Sequence, residues 1–156
     1  MVSLTASDFM VTRLVKLRPE MDVFEAVRLL LRNRISGAPV VDNDGRYLGI
    51  FSEKCSMQVL LDAAYEGLPT TLVGPFMDTQ ATTIAPATQL LSIAQVFLLT
   101  SHRRLPVVDD EGMLLGQVSR RDVLNAAMKE VDRQPARGRS LLYLSALVER
   151  EHAPVS

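Results

Sequence analysis

Leu105–Leu124, LPVVDDEGMLLGQVSRRDVL, reads as a strand, an acidic turn, a second strand and the first turn of a helix. The stretch occurs twice. Shifting the chain by 67 positions lays Ala38–Met57, APVVDNDGRYLGIFSEKCSM, over it without a gap. Pro39, Val40, Val41, Asp42, Gly45, Leu48, Gly49 and Ser52 then fall on Pro106, Val107, Val108, Asp109, Gly112, Leu115, Gly116 and Ser119. The same offset pairs Met10 with Met77, Thr12 with Thr79 and Pro19 with Pro86. So many matches at one offset mark an internal duplication.

Working outward, each hairpin is preceded by an amphipathic pattern. Asp22 is placed to cap a helix, with Glu25 three residues on to complete a capping box. Val23, Ala26, Val27, Leu30 and Leu31 keep the spacing of one buried face, ending near Asn33. The second copy repeats this over about 88–101, with Leu90, Leu91, Ala94, Phe97 and Leu98 inward. Val15–Leu17 and Thr82–Ile84 are short extended segments, each leading to a proline. Short helical turns are expected around Ser7–Met10 and Gly74–Met77. In the hairpins, glycine after Asp-Asn-Asp or Asp-Asp-Glu supplies the positive φ that other residues resist. Ser52 then opens a helix over 53–65 and Ser119 one over 120–131. Gly67 and Pro69 end the first of these. Each copy is strand, helix, strand, strand, helix, with boundaries at 8–66 and 73–131. A polar break, DRQPARGR, separates them from a last amphipathic helix over 140–151 that belongs to neither copy.

Size and composition bound the rest. The 156 residues suit one domain or two small units sharing a core. Each copy alone, at about 60 residues, would have a marginal core, so the copies are expected to pack together. A net charge of -1 lacks the basic excess of a general nucleic-acid binder. The single cysteine, Cys55, excludes an intrachain disulfide and a cysteine-rich metal centre. The longest apolar run, Leu90–Leu99, is interrupted by Gln95 and is too short to span a membrane. The N-terminus lacks the basic and apolar regions of an export signal, so a cytoplasmic protein is the default expectation. With only His102 and His152, no Gly-rich phosphate loop and no His-x-x-x-His, catalysis has little to stand on.

The pattern L-P-V-V-D-x-x-G-x-L-x-G-x-x-S-x-x-D, in tandem, resembles the CBS domain, named after cystathionine β-synthase, over about residues 8–128. The resemblance implies an α/β fold of two β-α-β-β-α motifs in a pseudo-two-fold pair, here with a C-terminal helix added. It implies a regulatory module with clefts for AMP, ADP, ATP or S-adenosylmethionine, and no required cofactor. Pairing into flat homodimers is a further implication, and signalling would run through an unidentified effector protein.

Ser119 and Asp122 then invite two readings. A helix amino end offers free N–H groups and partial positive charge to phosphate, and a carboxylate one turn away accepts both hydroxyls of a ribose. The same Ser-x-x-Asp spacing is a helix cap that needs no ligand. Arg120 and Arg121, between them, suit phosphate oxygens but oppose the helix dipole, and surface arginines are common. The resemblance places Thr82, Thr83 and Ile84 against the adenine and the backbone of Arg104, Leu105, Pro106 and Val107 along its edge. Leu105 and Val107 are core or pocket wall on either reading. Arg34 corresponds to a position from which some relatives direct an arginine at phosphate, and it equally suits a solvated helix end. The first copy departs where it matters: Cys55 replaces Asp122, and Lys16-Leu17 stands for Thr83-Ile84. One competent site per chain, in the second copy, is therefore expected. Cys55 near Lys54 has the setting of a reactive thiol, against the commoner role of a small buried hydrophobe. The rival to a nucleotide sensor is a ligand-free scaffold that mediates assembly.

Overall fold

The computed structural model describes residues 3–67, 71–133 and 145. In chain order these form α1 (Ala6–Phe9), α2 (Val23–Asn33), β1 (Gly37–Val41), β2 (Tyr47–Ser52) and α3 (Glu53–Tyr65). A single 3-10 turn, Gly74–Phe76, precedes α4 (Leu90–Leu99), β3 (Arg104–Val108), β4 (Leu114–Ser119) and α5 (Arg120–Asp132). The expected C-terminal helix lies outside the described residues except for Ser145, and so does Pro69. No helix among the described residues is long and apolar enough to cross a membrane.

The hairpins form as their turns dictate. Asp42 Oδ1 accepts from the N–H groups of Asp44 (2.9 Å) and Arg46 (3.0 Å), and Gly45 follows at φ 87°. Asp109 Oδ1 does the same for Glu111 and Met113, both at 2.9 Å, with Gly112 at φ 84°. These bonds hold the Asp42 carboxyl below its ordinary value, the Arg46 N–H contributing most. The first extended segment of each copy shrinks to one bridging residue. Leu17 lies parallel to Val40, and Ile84 parallel to Val107.

The outer edge of each hairpin is closed by the other copy. Val11 and Gln117 exchange N–H···O bonds of 2.9 Å, and Ile50 and Asp78 exchange bonds of 2.9 and 2.7 Å. Gly116 and Gly49 stand at these crossings. A Cβ on Gly49 would lie 2.6 Å from the Asp78 carbonyl, and one on Gly116 2.8 Å from that of Val11. Met10 and Met77, themselves equivalent, pack over those same glycines. The duplicated glycines and methionines are thus one device used twice.

Two compact units result, and neither is a contiguous segment. One comprises Arg13–Thr82 with Val108–Leu114; the other comprises Met1–Thr12, Thr83–Val107 and the chain from Leu115 onward. The first-copy unit is built around Leu17, Val23, Leu30, Val40, Phe51, Val59 and Val73. The second-copy unit is built around Ala6, Leu90, Ile93, Leu105, Val107 and Val118. Each fully buried Leu, Val or Phe removes enough apolar surface to contribute roughly 1.5–3 kcal/mol.

Three expectations need correction. Glu25 does not close a capping box: Asp22 accepts from Phe24 and Glu25 at 3.1 Å, while the Glu25 carboxylate turns to Arg28, also at 3.1 Å. The exposed guanidinium one turn along is the nearer partner for a charge that gains little from an already capped end. Leu31 and Leu98, placed inward by periodicity, are 69% and 86% exposed. Val23, Ala26 and Leu30 already fill the α2 face, and on α4 the buried set is Leu90, Ile93 and Phe97.

Candidate functional site

In the second-copy unit the chain brings the start of α5 and strand β3 under one local framework. Ser119, extended at φ -101°, caps α5: its Oγ accepts from the Asp122 N–H at 3.1 Å. The Asp122 carboxylate returns the contact, with Oδ2 accepting from the Ser119 N–H at 2.8 Å. The capping reading of Ser-x-x-Asp is therefore realised. One carboxylate oxygen is spent on the backbone, while Oδ1 takes no hydrogen bond from the described residues. A half-buried carboxylate with one free oxygen keeps room for one strong hydrogen bond, to a hydroxyl or a cation.

Arg120 is committed elsewhere. Its guanidinium donates to the His102 carbonyl at 3.2 Å, tying the first turn of α5 to the loop that enters β3. His102 itself is half-buried rather than a fully solvated terminus. Arg104 and Arg121 are exposed, and neither has an ion-pair partner among the described residues. Arg103, which precedes Arg104 in the chain, is exposed too, a cation that the sequence reading passed over. Arg120 and Arg121 thus sit on the first turn of a helix whose amino end already favours an anion.

Leu105, Pro106 and Val107 are buried, with Leu105 and Val107 fully inaccessible, so their side chains are core. The Pro106 carbonyl, on the strand whose backbone the resemblance offers to a base edge, accepts the Ile84 N–H at 2.9 Å. Thr83 is exposed one residue before that bridge, and Thr82 is half-buried. Thr82 and Arg34 belong to the first-copy unit. There Arg34 ends α2 in the left-handed region, φ 53° and ψ 45°, with its N–H on the carbonyls of Leu30 and Leu31. It is the one non-glycine residue of positive φ among the described residues.

The corresponding place in the first copy is chemically different. Ser52 Oγ accepts from the Cys55 N–H at 3.2 Å, but the side chain at position 55 accepts from the Ser52 hydroxyl and not from its backbone N–H, so no capping box forms. The thiol is 3.3 Å from Ser52 Oγ and 3.8 Å from the Ile50 carbonyl, and packs at the margin of the first-copy core. Position 55 behaves as a small hydrophobe with a weak S–H donor.

One feature escaped the sequence reading. Thr5-Ala-Ser-Asp8 has the same spacing as Ser119-Arg-Arg-Asp122, and Asp8 Oδ2 accepts from the Thr5 N–H at 2.8 Å. Asp8 and Asp122 both line a groove between α1 and α5 with a volume of about 340 Å³. No three His, Cys, Asp or Glu side chains among the described residues are grouped to hold a metal ion.

Comparison with known proteins agrees with this architecture. The family model for the CBS domain matches residues 6–54 and 73–129, together more than half of the chain. CBSX1, a chloroplastic CBS domain-containing protein of Arabidopsis thaliana, is 32% identical over 80% of this chain, which spans 64% of that protein's length. Among solved structures, CBSX2 in complex with AMP superposes with a TM-score of 0.68 at 31% identity, covering 80% of this chain and 96% of that one. The cytosolic domain of the Mg2+ channel MgtE, in complex with ATP, gives 0.64 at 29% identity, over 78% of this chain and 48% of that one.

Proposed function

This chain belongs to the CBS domain family as a tandem pair, and from that premise we propose that it is a regulatory module that binds an adenine nucleotide in its second copy. The observation that carries this is the α5 amino end. There a serine cap and a carboxylate with an unspent oxygen open the helix that carries exposed Arg121, and Arg120 ties that turn to the loop leading into β3, the strand that Ile84 bridges. Phosphate would meet the helix end and the arginines, and the sugar would meet Asp122 Oδ1. The AMP complex of CBSX2 and the ATP complex of the MgtE domain support an adenosine phosphate over S-adenosylmethionine. Arg120 and Arg121 on that turn favour an anionic ligand over a sulfonium by simple charge. The reading gives the chain no chemistry of its own. Binding changes the protein only by as much as the ligand prefers one arrangement, and the readout is an effector protein or the chain's own assembly.

Assembly has its own support. Met57, Leu60, Leu61 and Tyr65 on α3, with Leu124 and Met128 on α5, are at least half exposed. Apolar groups repeated along a helix face suit pairing into a homodimer. The ligand-free scaffold draws on the same faces and on the Asp122 Oδ2 that is already spent on its own cap.

Titration calorimetry with AMP, ADP and ATP separates the two. Wild type and Cys55→Ala are expected to bind alike and Asp122→Ala not to bind. At a hundred times its Kd a nucleotide adds about 2.7 kcal/mol of stability. A flat thermal response of wild type to all three would establish the scaffold.

A further inference from the structure

Helix α5 turns four side chains outward in one line, Arg121, Leu124, Met128 and Asp132. At about 100° per residue they share roughly 80° of arc, on the side away from buried Val123 and Ala126. Leu124 and Met128 are 64% and 51% exposed. Arg121 and Asp132 are exposed as well, and neither has an ion-pair partner among the described residues. We propose that this line is a self-complementary interface that pairs antiparallel with the same helix of a second copy.

The order cation, apolar, apolar, anion points to that occupant. A two-fold axis midway between Leu124 and Met128 brings Leu124 onto Met128 of the partner subunit and Arg121 onto the partner's Asp132. Symmetry then repeats each contact. Two apolar contacts are bracketed by two ion pairs, so leucine and methionine leave water while the charges fix the register. Both charges also stand at the wrong end of their own helix. A cation in the first turn and an anion in the last oppose the helix dipole, so α5 alone gives no reason for either. An antiparallel neighbour does, because it sets its amino end beside Asp132 and its carboxyl end beside Arg121.

The equivalent line on α3 shows why α5 is the helix that pairs. Lys54, Met57, Leu61 and Tyr65 are exposed too, but the closing anion is missing. Antiparallel pairing of α3 with itself makes no such ion pair, of α3 with α5 one, and of α5 with itself two. The pairing stands independently of the nucleotide reading. Its consequence rests on that reading: Arg121 is the exposed arginine of the proposed site, so phosphate and partner draw on one guanidinium, and each weakens the other by the same factor.

Sedimentation of the full chain over a dilution series, without nucleotide, tests the interface. Arg121→Asp and Asp132→Arg each set like charges at both ends of the contact and should raise the dimer Kd by about tenfold or more. Both substitutions suit the dipole of α5, so helix content by circular dichroism should be retained. The double variant restores both ion pairs and should return the Kd to within about threefold of wild type. An equimolar mixture of the two single variants should do so as well, in the form of heterodimers. A wild-type chain that stays monomeric would overturn the proposal, and so would single variants that dimerise as wild type does. A double variant as weak as the singles would do the same, since it would set α3 against α5. ATP in excess should raise the wild-type dimer Kd. Bound ATP that leaves it unchanged would overturn the competition, whereas a failure of ATP to bind would overturn the nucleotide reading alone.

Discussion

The two copies open their last helices with the same serine and then part company. At α5 the cap is reciprocal, Ser119 serving Asp122 and Asp122 serving Ser119. At α3 the Cys55 N–H donates to Ser52 Oγ with no carboxylate to take the Ser52 N–H in return, and the thiol leans into the core margin. A duplicated scaffold needs only the serine to start a helix. The carboxylate is extra, and it stands on the same helical turn as Arg120 and Arg121, which is why the second copy is proposed to carry the site. The contrast teaches that the fold is kept by what the copies share and the chemistry by what they do not.

The sharpest way to test that division is in the cores. Phe51 and Val118 are equivalent and both fully buried. Phe51→Ala should cost about 3–5 kcal/mol, and Val118→Ala nearer the roughly 1.5–3 kcal/mol attached to one buried valine. Urea denaturation measures both. If Val118→Ala proved the costlier, the second-copy unit would be the one that holds the chain together.

A smaller effect distinguishes the helix ends. Arg34 closes α2 in a left-handed conformation, whereas α4 ends at Thr100 in extended backbone, φ -127°. Arg34→Gly removes the side-chain penalty of that conformation and is expected to stabilise the protein by about 1 kcal/mol. If Arg34 also meets phosphate, the same variant binds ATP more weakly, so stability and affinity move in opposite directions. Higher stability with unaltered affinity would leave Arg34 a helix end alone.

The smallest effect concerns the turns. Asp42 has a depressed folded-state pKa, caused first by the Arg46 N–H, so its charge contributes stability above the unfolded value of 3.8. That contribution is lost as pH falls through the folded value. Asp42→Asn keeps the acceptor oxygen and removes the charge. Its deficit against wild type should be present at pH 6, shrink on acidification below 3.8 and vanish below the folded value. A deficit constant with pH would attribute the effect to shape instead of charge.

Much of the fold was legible. Asp42 and Gly45 announced one hairpin, Asp109 and Gly112 the other, because glycine after an Asx residue has few other uses. Ser52 and Ser119 announced helices for the same local reason. Legibility failed for Leu31 and Leu98, because periodicity reports an apolar stripe but not how wide a stripe the neighbours cover. The site was legible as residue types only. Ser-x-x-Asp looks identical whether the carboxylate caps or binds, and nothing in the sequence showed that Arg120 would be drawn to the His102 carbonyl. The twin motif at Thr5–Asp8 was readable from its spacing and was overlooked for want of an apolar run behind it.

What the sequence determined by itself was the duplication, the turns and the helix starts, since each depends on residues within a few positions of one another. Only the tertiary structure decided that Val11 closes the edge at Gln117 and Asp78 the edge at Ile50, so that each unit borrows its closing residue from the other copy. An unpaired strand edge accepts whichever backbone reaches it, and that choice leaves only a glycine at the crossing as its trace.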